Sequence, residues 1–438
     1  MRSRRRLYLL AGVVLVLLIS SGIGLFLLPK GVTGAGQNLT ELAKVYEIVM
    51  LVKNYYVDKV SATDLLKAYS DKGSIEGMLA TLGDPYTRYL DPQAWEQVQI
   101  DTTGTFAGLG LYVGMSEEGA VTVTAPIPGT PAEKAGILPG DRVLKIDGRS
   151  TEGMSLDEAV SLMRGPEGTQ VRLELAREGV PEPIVVTITR ETIHVPSVTG
   201  TSMLPGGVGY VRLLQFSQST ASELDTALAR LISEGMKALI LDLRFNPGGL
   251  LDVSVAVASR FIAEGPIVWV VSRGERSQVY TAWGRSALIA NGGTPLYTEP
   301  MAVLVNGYSA SASEIVSGAL QDAGRAKLVG TKTFGKGLVQ TLIPLRSGGA
   351  LSLTTSRYLT RGKRTIEKEG IRPDIEVADP PLEDMASYLS ADKPDLKDPQ
   401  LRAAHEYLVR QLAAQQTPPG HGAGGAIRAA AEQRETAA

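Results

Sequence analysis

Two runs, Ala238-Leu-Ile-Leu-Asp-Leu243 and Met301-Ala-Val-Leu-Val305, restrict the fold more than any other feature of the sequence. Near-continuous apolar runs of this length suit strands covered on both faces. Each ends in a turn of small residues followed by a helical period. The first leads through Arg244-Phe-Asn-Pro-Gly-Gly249 into a helix carrying Leu251, Val255 and Ala258. The second leads through Asn306-Gly-Tyr-Ser-Ala-Ser-Ala-Ser-Glu-Ile315 into a helix that continues to Leu320. Val208 to Leu213 and Ile267 to Ser272 predict two more such strands, and Leu224, Ala227, Leu228 and Leu231 mark the inner face of a helix over 222–234. Alternation of strands and helices predicts a layered α/β domain.

A serine at a strand-to-helix junction is exposed at the strand's end, and the first N–H groups of the helix lack intrahelical acceptors and can hold an oxyanion. Ser309, Ser311 and Ser313 are the candidates. A serine nucleophile needs a base within reach. Of the three histidines, His421 lies in a tail rich in Ala, Gly, Pro and Gln, His405 falls on a helical surface pattern, and His194 has no acidic residue close in sequence. A Ser-His-Asp triad therefore has poor support, although the sequence does not exclude it. Lysine is the remaining base, since burial can leave its amine neutral. Lys336, between Gly335 and Gly337 with Gln340 just beyond, is the better placed of two, Lys332 reading as a solvated loop residue; lysines between glycines also occur in ordinary turns. Cysteine is absent, which excludes disulfides, cysteine nucleophiles and thiolate metal sites. No cofactor or metal is expected, and a formal net charge of −2 gives no reason to expect nucleic acid as a partner.

The ends of the chain carry different messages. Arg2, Arg4, Arg5 and Arg6 precede an uncharged, largely apolar run over 7–28, long enough to cross a bilayer. Basic residues stay cytoplasmic, so this predicts a single-pass signal anchor in the cell membrane with the working part extracytoplasmic, periplasmic or extracellular. A long signal peptide cleaved near Thr33-Gly34-Ala35 is the other reading. Residues 415–438 read as a flexible tail.

From Asn38 to Lys53, Leu39, Leu42, Val45, Tyr46, Val49 and Val52 predict an amphipathic helix with Thr40 as a possible N-cap, and more helix follows over 62–82. Asp84-Pro-Tyr-Thr-Arg-Tyr-Leu90 has no periodicity, and its aromatics are expected to dock the helices on a later domain. Between Thr103 and Arg190 the texture changes to short β-branched strands with glycine and proline turns, plus a helix over 155–164. This segment, with Pro131-Ala-Glu-Lys-Ala-Gly-Ile-Leu-Pro-Gly-Asp-Arg-Val143, resembles a PDZ domain of the kind found in bacterial proteases. The resemblance implies that the loop Gly108-Leu109-Gly110 offers N–H groups to a C-terminal carboxylate while the peptide adds as a strand beside Leu111 to Val113. Alone, those glycines would read as a simple turn.

Four phrases together are similar to the carboxyl-terminal processing peptidases, or tail-specific proteases: the Ser309–Ser313 turn, Gly330-Thr-Lys-Thr-Phe-Gly-Lys-Gly-Leu-Val-Gln340, Asp242-Leu-Arg-Phe-Asn-Pro-Gly-Gly-Leu-Leu251 and Asp84-Pro-Tyr-Thr-Arg-Tyr89. The match runs in family order from the first helix to about residue 410. It implies a serine endopeptidase with a crotonase-like protease domain, Ser311 as nucleophile, Lys336 as base and Gln340 as its orienting partner. The oxyanion donors carry over to Gly248 or Gly249 and to Ala312. Phe245 departs from the family, where many members are polar. Arg164, ending the PDZ-like helix, is a candidate to couple peptide binding to catalysis through an acidic or carbonyl partner, or else a cation complementing the helix dipole.

The expected order is a basic segment and transmembrane helix (1–30), a helical region (31–102), a PDZ-like β domain (103–190), an α/β protease domain (191–380), a C-terminal helical region (381–414) and the tail. Expected partners are proteins or peptides with accessible C-termini, and the membrane through the N-terminal helix. The apolar face of the terminal helix, with Tyr407, Leu408 and Leu412, has no evident cover, which suggests a homo-oligomer, a dimer as in some family members. Two other classes fit parts of the sequence: a crotonase-like acyl-thioester enzyme, which needs neither export nor a peptide-binding module, and an inactive membrane-anchored PDZ scaffold, against which Ser311, Lys336 and Gln340 together argue.

Overall fold

The computed structural model describes residues 33–416 apart from 117, 275, 285–296, 382–383, 385–387 and 389–393. The basic and apolar stretch over 1–30 and the tail beyond 416 lie outside the described residues. Among the described residues no helix is long and apolar enough to cross a membrane.

The chain forms two compact units, one holding the N-terminal region to Pro92 with Gln340–Thr354, the other Gln93–Val339 with Thr355 onward. The first contains helices α1 (Thr33–Tyr55), α2 (Ala62–Lys72) and α3 (Ile75–Ala80) and strand β1 (Arg88–Leu90). Helix α1 begins upstream of Thr40, which is therefore no cap. Its buried face is Val45, Ile48, Val49 and Val52, whereas Leu42 and Tyr46, expected inside, are exposed. Gly73 adopts the left-handed conformation to end α2, and Ser74 accepts the Gly77 N–H to start α3. Asp84 organises the aperiodic phrase: its carboxylate accepts the Tyr86 N–H at 2.9 Å and the Thr87 hydroxyl at 2.6 Å. That turn delivers β1, a strand the sequence pattern did not reveal, to antiparallel pairing with Ala350–Ser352. Leu345, Leu351 and Leu353 complete the helical core, at about 2 kcal/mol per fully buried leucine.

The second unit opens with α4 (Pro92–Thr103), β2 (Thr105–Gly108) and then a segment built on one antiparallel sheet: β3 (Leu111–Met115), β4 (Val121–Pro126), α5 (Pro131–Lys134), β5 (Arg142–Ile146), β6 (Arg149–Ser150), α6 (Leu156–Met163), β7 (Gln170–Ala176) and β8 (Ile184–Thr189). The sheet order is β3-β4-β5-β7-β8, so β3 is an edge strand, and α6 packs alongside it. Ser155 and Glu158 form a capping box that starts α6. Then β9 (Glu191–His194) pairs back on β2.

The layered α/β part follows with β10 (Val198–Leu204), β11 (Val208–Leu213), α7 (Thr220–Ser233), β12 (Ala238–Asp242), α8 (Leu251–Ala258), β13 (Pro266–Ser272), β14 (Arg276–Thr281), β15 (Met301–Val305), α9 (Ala312–Asp322), β16 (Lys327–Gly330), β17 (Leu338–Pro344), β18 (Ala350–Thr360), β19 (Ile375–Glu376) and α10 (Pro399–Gln416). One sheet runs β10-β11-β12-β15-β16-β19, parallel except for β10, and β12 and β15 are wholly buried as their composition requires. Strand β13 departs from expectation: it pairs antiparallel with β14 and with the later half of β18, in a different sheet. Helices α7, α8 and α9 cover one face of the parallel sheet, and α10 covers the other through Leu401, Ala404 and Leu408. The apolar face of α10 is thus buried within its own chain, which removes the basis on which an oligomer was expected.

Candidate active site

Ser311 sits between β15 and α9 with φ 55° and ψ −113°. Positive φ is rare for a residue with a Cβ and costs of the order of 1–3 kcal/mol. Its two neighbours in the phrase are different in kind. Ser309 and Ser313 are fully buried and donate their hydroxyls to Leu243 O at 2.8 Å and Asn246 O at 2.9 Å, tying the serine turn to the Arg244–Gly249 turn. Ser311 is half-buried and makes no such tie. Its backbone is pinned instead: the Tyr358 hydroxyl donates to Ser311 O at 3.0 Å, and the Ser311 N–H donates to Glu314 Oε2 at 2.9 Å.

Glu314 is the residue the sequence reading passed over. Fully buried, it accepts from Ser311 N and Lys336 N through Oε2, and from Gly335 N and the Thr333 hydroxyl through Oε1, at 2.6 to 2.9 Å. One carboxylate oxygen thereby receives the amides of both Ser311 and Lys336, so those backbones are no farther apart than twice a hydrogen-bond length. Burial pushes the carboxyl above the ordinary glutamate value, and its donors pull it back only in part. The spacing Ser311-x-x-Glu314 was its available signal, a capping-box pattern.

Gly248 and Gly249 face this turn. A Cβ at Gly248, whose φ is +107°, would lie 2.8 Å from Ser311 Cβ and 3.0 Å from Ala312 N, so only glycine lets the backbones approach this closely. The Gly248 N–H is already given to Asn246 Oδ1 at 2.9 Å. The Gly249 N–H takes no part in the bonds joining this turn to Phe216, which run from Phe216 N to Gly248 O and from Leu250 N to Phe216 O. Ala312 opens α9, so its N–H has no intrahelical acceptor. Beneath the turn, buried Arg244 donates to Asp242 at 2.7 Å, Asp398 at 2.7 Å and Gln400 at 3.0 Å.

Gln340 belongs to the other compact unit, where its amide donates to Thr354 Oγ1 at 3.3 Å. His194 is paired with Glu223 at 2.8 Å, an acidic partner too distant in sequence to be foreseen, and His405 bonds to Pro205 O. Among the described residues no cluster of His, Asp and Glu could hold a metal ion.

In the antiparallel segment, Gly108 ends β2 opposite Glu191, so the turn proper is Leu109-Gly110. Its carbonyls are taken by Ala132 N and Ile127 N at 2.9 Å each. Gly110 has φ +79° and Thr130 presses on the place a Cβ would occupy. Leu111 starts the edge strand β3. Both terminal nitrogens of Arg164 donate to Gln97 Oε1 at 3.3 Å, and its guanidinium lies 5.2 Å from the Phe106 ring centroid.

Comparison with known proteins places these features. Residues 207–377 match the model of peptidase family S41, residues 122–177 a PDZ domain, and residues 28–94 the N-terminal domain of the activating protease CtpB. A carboxy-terminal-processing protease of Bartonella bacilliformis is 39% identical over 88% of this chain and 85% of its own. The chain belongs to peptidase family S41 and is a carboxyl-terminal-processing serine protease by family, with a PDZ domain. The relative of that name from Synechocystis is 42% identical over 78% of this chain and 77% of its own. A solved Bacteroides fragilis protein assigned to the S41 proteases is 19% identical, covers 85% of this chain and 98% of its own with a TM-score of 0.50, and speaks to the fold alone.

Proposed function

We propose that this S41 peptidase cleaves peptide bonds near protein C-termini with a Ser311–Lys336 dyad, the substrate's end being held by the PDZ domain. The observation that carries the dyad is the shared carboxylate of Glu314, which receives the Ser311 and Lys336 amides together. In this reading the neutral Lys336 amine takes the Ser311 hydroxyl proton as Oγ attacks the carbonyl carbon. The oxyanion is met by the Ala312 N–H and by the glycine turn, where Gly249 is the better donor because Gly248 is engaged. The proton then passes to the departing amine, and water hydrolyses the acyl-enzyme.

The PDZ groove lies between edge strand β3 and α6, where an extended peptide adds beside Leu111 and its carboxylate meets the Gly108–Gly110 backbone. Export and single-pass anchoring through the apolar run over 7–28 would put this chemistry outside the cytoplasm, on proteins whose C-termini are accessible. Full-length protein in detergent, given an unfolded substrate, tests the core of the proposal: Ser311→Ala and Lys336→Ala should each abolish hydrolysis, and unimpaired cleavage by either variant rejects the dyad.

A further inference from the structure

Phe245 stands at φ +59°, in the left-handed region that glycine and asparagine tolerate and a bulky aromatic residue does not. Its ring is only half-buried, so burial does little to offset that strain. It stacks instead on Tyr308, with centroids 4.9 Å apart and planes 15° from parallel. Tyr308 itself is 58% exposed, and Phe334 is 55% exposed. The three rings come from the three loops that carry the proposed chemistry: the glycine turn, the serine turn and the lysine loop. Their backbones are fixed together, because Phe245 N and Tyr308 N both donate to Asn306 Oδ1 at 3.1 Å and Phe334 N donates to Ser309 O at 3.1 Å.

A strained, half-exposed phenylalanine held against an exposed tyrosine, each three residues before a glycine or serine of the site, has no account in the stability of the fold. We propose that the Phe245–Tyr308 stack is a specificity wall that receives a large apolar side chain of the substrate immediately beside the cleaved bond. Stacked rings present a flat apolar face suited to leucine or phenylalanine, and a polar residue at 245 would remove it. The assignment rests on Ser311 as nucleophile, since that serine sets which bond lies next to the wall.

The test uses full-length protein and a peptide series with one common apolar C-terminus, the cleaved bond being mapped by mass spectrometry. The residue on each side of that bond is varied through Ala, Leu and Phe, and kcat/KM is measured for Phe245→Asn, Tyr308→Ser and Phe245→Leu. The expected result is a roughly tenfold fall in the Leu-to-Ala preference at one of the two positions for Phe245→Asn and Tyr308→Ser. Phe245→Leu should restore most of it, and Phe245→Asn should melt no lower than the parent because the backbone strain is relieved. An unchanged preference at both positions overturns the wall, as does an equal loss on every peptide accompanied by a lower melting temperature. Ser311→Ala run beside them separates the two readings: activity in that variant rejects the nucleophile, whereas its inactivity together with unchanged preferences in the Phe245 and Tyr308 variants rejects the wall alone.

Discussion

At the scale of single residues, the site depends on backbones brought closer than side chains allow. Gly248→Ala would place a methyl group 2.8 Å from both Ala310 O and Ser311 Cβ, and neither neighbour is the free end of a flexible chain. The serine turn must move, so kcat should fall by about a hundredfold or more, as when an oxyanion donor is lost; activity within a few-fold of the parent would mean that the turn is not part of the site. The sequence offered Gly248, Ser311 and Lys336 as candidates because small residues at turns and a lysine between glycines are local signals. Choosing among three serines from spacing was not possible. The structure separates them by burial and φ, both set by the Ser309 and Ser313 bonds to a turn more than sixty residues away. Glu314 escaped notice because an acidic residue in a first helical turn ordinarily complements the helix dipole at the surface. Its burial follows from the packing of α9 and the lysine loop, which no local pattern encodes.

At the scale of elements, apolar runs announced β12 and β15, and helical periods announced α6, α7 and α9. Strand β1 was hidden because three residues carry no period, and the sheet to which β13 belongs was hidden because an apolar run does not name its neighbours. The terminal helix illustrates the same limit: Tyr407, Leu408 and Leu412 looked uncovered until the sheet face over Tyr210, Ile240 and Leu304 was seen beneath the helix. That helix also begins at the charge network under the glycine turn. Asp398 is buried with its carboxylate on Arg244 Nη1, and Gln400 shares the same nitrogen. Asp398→Ala would leave the guanidinium partly uncompensated in a dry interior, at a cost of about 3 kcal/mol. Urea unfolding should show a lower midpoint for the variant with an unchanged slope. A midpoint equal to the parent's would mean that Asp242 alone suffices to hold Arg244.

At the scale of the whole molecule, acid stability follows from carboxylates fixed in separate places. Burial opposes ionisation of Asp141 in the PDZ domain, but Arg177 at 2.7 Å and the Leu138 N–H hold its carboxyl below the ordinary value. In the protease domain, burial likewise opposes Asp242 and Asp374, and Arg244 and Lys327 respectively hold them down. A lowered folded value means that the unfolded chain binds protons more readily. These three groups therefore contribute stability that is complete above about pH 4 and lost as pH falls through their folded values. Glu314 acts in the opposite sense: its raised folded value contributes stability present below the ordinary glutamate range and lost as pH rises through that raised value. Calorimetry from pH 7 downward should accordingly find melting temperatures level or slightly rising to about pH 5, then falling below about pH 4. Asp141→Asn should lower the neutral-pH stability of the PDZ domain while flattening its acid limb, because the group that titrates has been removed. A melting temperature that continues to rise below pH 4, in parent or variant, would show that Glu314 outweighs the three aspartates and that the ion pairs are too weakly coupled to folding to matter.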